Sequence, residues 1–510
     1  MPTVVRTDEV DAEQLAARRR ARADVVVERA DGDDRYVADR GPFRSYERRL
    51  DCEPLGEGRF RLTETTSFRL AIPLWGPLFV LPIRREMRRV EGRDAPRQPW
   101  WAPPDAFDAR SAEILGLLSI ISIVVGYLGT LLTQTLTFAA DEFRASTTAQ
   151  STTLAAVRVG VLLALVLVAR ADRLGRRRLL IGAAVGACAT AVLGAVAPSL
   201  VVLGATQAVS RGLATTGVVL ITIVAAEEMP AGSRAYAVSV MTMAAALGGG
   251  MALWALPLAD LGTQGWRLVY LIPVLGIPVV LRAGRALPES KRFVGPHAER
   301  ATLKGHMGRL GALCATFLLI SAFAAPASQL LNEFLKDERG FSGGRISLFI
   351  VLTTTPAGVA IVVGGRVADV RGRRRLVVGS VVVGAVLTTL SFASRGWPMW
   401  VWSLAGTMAG ALSVPALGMY GPELFPTGAR GRANGVIQTV SVVGSALGLL
   451  VAGIAADRTG SLARGMAILV AGPLIAAAVV WRTYPETAHR ELEELNPEDA
   501  AASALPSVLP

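Results

Sequence analysis

From Ile114 to about residue 482, apolar runs of roughly 18 to 25 residues alternate with short polar breaks, a length that crosses a bilayer as helix. The pattern predicts twelve spans, with cores near 114–139, 150–169, 179–197, 201–226, 235–259, 266–284, 310–332, 345–365, 376–393, 398–421, 433–455 and 463–482. Residues 1–108 have a different rhythm. Ser45 to Pro54 and Arg59 to Ala71 place Tyr46, Leu50, Cys52, Phe60 and Leu62 at alternate positions around Leu55-Gly56-Glu57-Gly58, which predicts a β-hairpin. Leu70 to Ile83 is a shorter apolar run, broken by Pro73, Pro77 and Pro82 and followed by Arg84, Arg85, Arg88 and Arg89. It is too short and proline-rich to span. It reads as a buried strand or core piece of a small domain in preference to an interfacial segment whose arginines meet anionic headgroups. Arg97 to Pro104, with Trp100-Trp101, reads as a linker ending at the membrane surface.

Composition agrees. Hydrophobic residues make up 52% of the chain and mean hydropathy is +0.43, more than a soluble domain of this length needs for its core. The net charge of +12 gathers as arginines in alternate short loops, a topology signal and not a nucleic-acid groove. Arg173, Arg176 to Arg178, Arg234, Arg285, Arg371, Arg373 to Arg375, Arg430 and Arg432 lie on one side; Asp141, Glu142, Asp260, Asp337, Glu338 and Asp457 lie on the other. Both termini are therefore expected in the cytoplasm, with a multi-pass chain in the cytoplasmic (inner) membrane. Met1 to Arg22 lacks the apolar core of a signal peptide. Cys52, Cys188 and Cys314 are too few and scattered for a disulfide framework or a metal site, and no cofactor is implied. The absence of a Gly-x-x-x-x-Gly-Lys-(Ser/Thr) loop excludes a nucleotide-driven pump, and no enzyme constellation appears.

The chain is internally duplicated. Ala171-Asp172-Arg173-Leu174-Gly175-Arg176-Arg177-Arg178 returns as Ala368-Asp369-Val370-Arg371-Gly372-Arg373-Arg374-Arg375, an offset of 369 − 172 = 197. Glu227-x-x-Pro230-x-x-x-Arg234 returns as Glu423-x-x-Pro426-x-x-x-Arg430 at nearly the same offset. A carboxylate at a helix end can pair with arginine or cap a neighbouring helix, and a glycine lets the chain turn tightly. The predicted organisation is an N-terminal segment (1–108), a six-helix half (109–285), a linker (286–308), a second six-helix half (309–484) and a tail (485–510).

These motifs resemble those of the major facilitator superfamily of secondary transporters, whose signature after the second helix is Gly-x-x-x-Asp-(Arg/Lys)-x-Gly-(Arg/Lys)-(Arg/Lys). Gly365, Asp369, Gly372, Arg373 and Arg374 fit the second copy; the first keeps Asp172, Arg173, Gly175, Arg176 and Arg177 but has Val168 for the leading glycine. The resemblance implies an all-α fold of twelve membrane helices in two repeats, a small-molecule substrate, and a cytoplasmic gating network that includes Glu227, Arg234, Glu423 and Arg430. Gly265-Trp266-Arg267, Pro288-Glu289-Ser290, Tyr420 to Pro426 and Pro485-Glu486-Thr487 resemble the sugar and metabolite:proton symporter branch. The helix 7 glutamine pair of sugar porters is missing, since only Gln329 is present there.

Ionisable groups inside a membrane are costly and point to function. Arg158 and Arg211 fall near the middle of the second and fourth spans; Arg211-Gly212 resembles the family's proton-coupling motif. Asp141, Glu142 and Glu333 close spans near the external mouth, either as titrating groups or as solvated loop charges. Gln207 and Gln329 either line a cavity or bond neighbouring helices. The expected activity is carriage of a small polar or anionic metabolite driven by protons. The alternatives are a drug/proton antiporter and a transport-dead sensor signalling through the N-terminal segment.

Overall fold

The computed structural model describes every residue except Glu57, 90–98, Trp100, Ser146, Val159, 291–302 and 500–510. The side chains of Asp172 and Arg173 also lie outside the description, as do most of the expected 286–308 linker, much of the 97–104 linker and the end of the tail. The chain divides into two units: residues 1–118 with 228–233, and residues 119–227 with 234–510.

In the first unit the predicted hairpin is present, as β4 and β5 of a larger sheet. The strands are β1 (Thr3–Asp11), β2 (Val27–Ala30), β3 (Arg35–Arg40), β4 (Phe43–Gly56) and β5 (Arg59–Leu70), all paired antiparallel in the order β1-β5-β4-β3-β2. A short helix, α1 (Ala12–Arg18), follows β1 through a capping box of Asp11 and Gln14. Val4, Val26, Phe43, Tyr46 and Phe68 form the core on one face. A buried charge cluster lies within the fold, where Arg48 pairs with Glu28 at 2.6 Å and Tyr46 donates to the same carboxylate at 2.6 Å. The 70–83 run is not a strand. It enters α2 (Gly76–Met87), which accepts Pro77 in its first turn where the missing N–H is no loss. Ile83 and Met87 of α2 complete the core.

Eleven described helices are long and apolar enough to cross a membrane: Ala109–Glu142, Arg176–Val196, Leu200–Glu228, Ala231–Ala259, Trp266–Ala286, Met307–Gln329, Leu348–Arg371, Arg373–Ala393, Trp397–Glu423, Thr427–Ala456 and Leu462–Thr483. Thr152–Val168 is a shorter apolar stretch at the place of the second span. Gly160 within it lies so close to the fourth span that a β-carbon there would stand 2.0 Å from the Ala208 carbonyl oxygen.

Glycines set the packing in both halves. A β-carbon at Gly248 of the fifth span would stand 1.9 Å from the Ile123 oxygen of the first, and one at Gly448 of the eleventh 1.9 Å from the Ala322 oxygen of the seventh. Close backbone approach through small residues is how membrane helices gain contact when lipid is as apolar as their side chains.

Candidate functional site

The two Asp-Gly-Arg copies form matching turns at the arginine-rich end of the second unit. Gly175 (φ 90°, ψ 138°) and Gly372 (φ 99°, ψ 142°) share one left-handed conformation, each ending one helix and starting the next. A glutamate caps each new helix. Glu289 accepts from the Arg177 amide at 3.0 Å, and Glu486 accepts from the Arg373 and Arg374 amides at 2.8 and 3.2 Å, using donors that have no partner within the helix. Arg177 also donates to the Gly284 carbonyl at 2.9 Å, and Arg374 lies over the Trp481 ring at 5.1 Å.

Between these turns lie two buried glutamates, each serving both halves. Glu227 pairs with Arg176 of its own half at 2.9 Å and with Arg430 of the other at 2.5 Å. Ser290 also donates to Glu227, at 2.5 Å. Glu423 repeats the arrangement, pairing with Arg373 of its own half and with Arg234 of the other at 3.5 Å. Arg373 further contacts Asp369 at 2.8 Å and Thr487 at 3.1 Å. All four arginines and both glutamates have essentially no exposed side-chain surface. Asp369 crosses between halves as well, accepting from the first amides of the fifth span, Ala235 at 3.3 Å and Tyr236 at 2.8 Å. It is thus an N-terminal cap supplied by the opposite half.

The glycine that opens the second signature copy has a steric role. A β-carbon at Gly365 would stand 2.6 Å from Ser239 Oγ and 2.7 Å from the Ala235 carbonyl oxygen. The first copy has Val168 at the matching position, packed with Val219 and Ile223 of the fourth span. Gly435, the repeat counterpart of Ser239, lies where a β-carbon would be 2.9 Å from Leu165 Cδ1, so the helices approach closely one turn before Val168.

Away from this end, Arg158 donates to the Gln329 side-chain oxygen at 2.5 Å, joining the second span to the seventh across the halves. Arg211 donates to the Gly129 carbonyl and lies near enough to Arg158 for the two charges to act on each other. Gln207 is buried, with its amide nitrogen beside Gly194. Glu142 is held by Trp266 at 2.6 Å and Arg267 at 2.8 Å, tying the first span to the sixth within one half. Asp141 and Glu333 are exposed; Glu333 lines an open pocket of about 350 Å³ with Asn332, Lys336, Asp337 and Ile346.

The family model of the Major Facilitator Superfamily matches residues 311–509. The proton:xylose symporter XylE bound to 6-bromo-6-deoxy-D-glucose superposes with a TM-score of 0.66 at 18% identity, covering 76% of this chain and 99% of that one. The human organic anion transporter MFSD10 gives 0.59 at 16%, covering 72% and 99%. The fucose:proton symporter FucP of E. coli gives 0.59 at 13%, covering 73% and 98%. The chain shares the fold of these proteins. Among curated relatives, an uncharacterized MFS-type transporter of Mycobacterium tuberculosis is 39% identical over 101 residues, 19% of this chain and 15% of that protein. The puromycin resistance protein pur8 of Streptomyces alboniger is 34% identical over 122 residues, 24% of each. The chain thus spans less than a quarter of the length of the curated relatives it matches.

Glu289, Ser290, Glu486 and Thr487 complete the polar cluster beyond the residues that sequence reasoning assigned to it. Their signal was available: Pro288-Glu289-Ser290 returns as Pro485-Glu486-Thr487 at the same 197-residue offset as the arginine turns. Glu491, 3.2 Å from Arg234, and Asp499, 3.5 Å from Arg430, carry no such signature.

Proposed function

We propose that the protein is a secondary active carrier that moves a small anionic metabolite across the cytoplasmic membrane by alternating access, coupled to protons, with both termini in the cytoplasm. The observation that carries this reading is the pair Arg158 and Arg211. Both sit within membrane-spanning segments, both have neutral hydrogen-bond partners, and neither has a carboxylate partner among the described residues. Two like charges in a medium of low polarity call for a counter-charge, and a bound anion supplies one. An anion competing for Arg158 would release Gln329 and so loosen a link between the halves.

The arginine-rich network acts as the cytoplasmic gate. With the network closed, the site would load from the opposite face. Opening it breaks Arg430–Glu227 and Arg234–Glu423 while Arg176–Glu227 and Arg373–Glu423 persist. Each buried glutamate therefore keeps an arginine throughout, and the released Arg430 and Arg234 pass into entering water. This arrangement avoids the cost of about 3–5 kcal/mol expected when one partner of a buried pair is removed outright. Likeness to an organic anion transporter and to two sugar:proton symporters supports substrate charge and coupling as hypotheses. The puromycin-resistance relative favours a second reading, export of a drug in exchange for protons.

The test is uptake of a labelled panel of organic anions into proteoliposomes, with and without an imposed pH gradient. Gradient-driven uptake of an anion by the wild type, lost in Arg211→Ala, supports the proposal. Transport of cations or neutral drugs that Arg211→Ala leaves intact would reject it in favour of export.

A further inference from the structure

The first unit carries an apolar surface that its own fold leaves uncovered. Leu74, in the turn before α2, and Leu78 and Leu81 within it are 71%, 67% and 72% exposed. At 100° per residue Leu78 and Leu81 share one face of the helix with Arg85 and Arg88, opposite the Ile83 and Met87 side that fills the sheet's core. The exposed face therefore reads leucine, leucine, arginine, arginine along the helix, and neither exposed arginine has an ion-pair partner among the described residues. Leu74 is held at φ 61°, a left-handed conformation that leucine rarely adopts, in a turn that presents its side chain outward.

The position of this face decides its partner. Pro73, immediately before Leu74, packs against Gly116 of the first span, where a β-carbon would stand only 2.8 Å from Pro73 Cδ. Arg44 of β4 pairs with Glu113 of the same span at 2.6 Å. Both contacts lie within the first eight residues of Ala109–Glu142, so α2 begins beside the point where the chain enters the membrane. Leucines followed by unpaired arginines at that level match the boundary between acyl chains and anionic headgroups.

We propose that α2 is an interfacial helix, with Leu74, Leu78 and Leu81 in the outer acyl layer and Arg85 and Arg88 on the phosphates of anionic lipid. The helix thus has two working faces. Ile83 and Met87 hold the sheet together, and the leucines hold the sheet to the bilayer.

The experiment uses the full chain in proteoliposomes, after replacement of the native cysteines (Cys52→Ser, Cys188→Ala, Cys314→Ala). An environment-sensitive fluorophore is placed at Leu78→Cys, at Leu81→Cys as a second position on the same face, and at Glu53→Cys as an exposed control on β4. Lipids brominated in the acyl chain quench the labels at 78 and 81 several-fold more than the label at 53, and aqueous iodide does the reverse. The difference shrinks when phosphatidylglycerol is replaced by phosphatidylcholine, or in Arg85→Glu/Arg88→Glu. Iodide quenching at 78 and 81 equal to that at 53 would overturn the proposal. Protection from both quenchers would overturn it too, because a protein surface would then cover the face. Lipid quenching indifferent to both phosphatidylglycerol and charge reversal would remove the arginines from it.

Discussion

Arg430 reaches 2.5 Å across the two halves to Glu227, whereas its repeat counterpart Arg234 stands 3.5 Å from Glu423. The pseudo-symmetric network is thus tighter on one side, and the neighbouring groups sharpen the difference. Glu423→Gln leaves Arg373 on Asp369 and Arg234 on Glu491, both already in contact. Glu227→Gln leaves Arg430 with the longer Asp499 contact. We expect Glu227→Gln to destabilise the protein by about 3–5 kcal/mol, the cost of a broken buried pair, and Glu423→Gln by clearly less. Thermal unfolding of the two purified variants measures this; equal losses would mean that the unequal distances carry no energetic weight.

The close fit around Gly365 makes a second prediction. Gly365→Val places a branched side chain against Ser239 and the Ala235 carbonyl, and backbone cannot give way as a flexible side chain can. The arginine-rich end should then fail to close. Spin labels on the exposed repeat counterparts Arg178→Cys and Arg375→Cys report it: the distance between them should lengthen in Gly365→Val. In Val168→Gly it should stay as in the parent, because that change removes side-chain bulk and creates no clash between the halves.

What the sequence revealed and what it hid follow from the range of each interaction. Spans announce themselves through twenty consecutive residues, and the Asp-Gly-Arg turns through their repetition. The crosswise pairing of Arg430 with Glu227 joins residues 203 apart, and no periodicity encodes it. In the N-terminal unit the β4–β5 pair was readable because both strands are long and alternate apolar with polar side chains. β2 has four residues and β1 is mostly polar, so neither rises above background. The helix α2 was hidden by its prolines: Pro77 is harmless in the first turn, and Pro82 inside the helix is a real exception to the usual rule.

The capping glutamates predict matched effects in the two halves. Glu289→Ala and Glu486→Ala each remove a carboxylate from the N-terminal amides of the third and ninth spans. Each should cost about 1 kcal/mol in stability. Melting temperatures of the single and double variants check this, and the two losses should add, since the caps share no partner.

The N-terminal sheet should respond to acid through Asp8. Partial burial pushes its carboxyl group up, but hydrogen bonds and charge from Arg18 at 2.8 Å and Arg6 at 2.6 Å outweigh that and hold it below the usual carboxylate range. A carboxyl depressed in the folded state stabilises the fold fully above its unfolded pKa of about 3.9. That stability is lost as pH falls through the lower folded value, because the unfolded chain takes up the proton first. Protection of β1 and β5 amides against hydrogen exchange, corrected for intrinsic rates, should therefore hold steady from neutral pH down to about 5 and decline below about 4. Asp8→Asn should lower the plateau and flatten the decline, because the Arg18 and Arg6 guanidinium groups then face an amide that does not titrate. A decline as steep in Asp8→Asn as in the parent would remove Asp8 as its source.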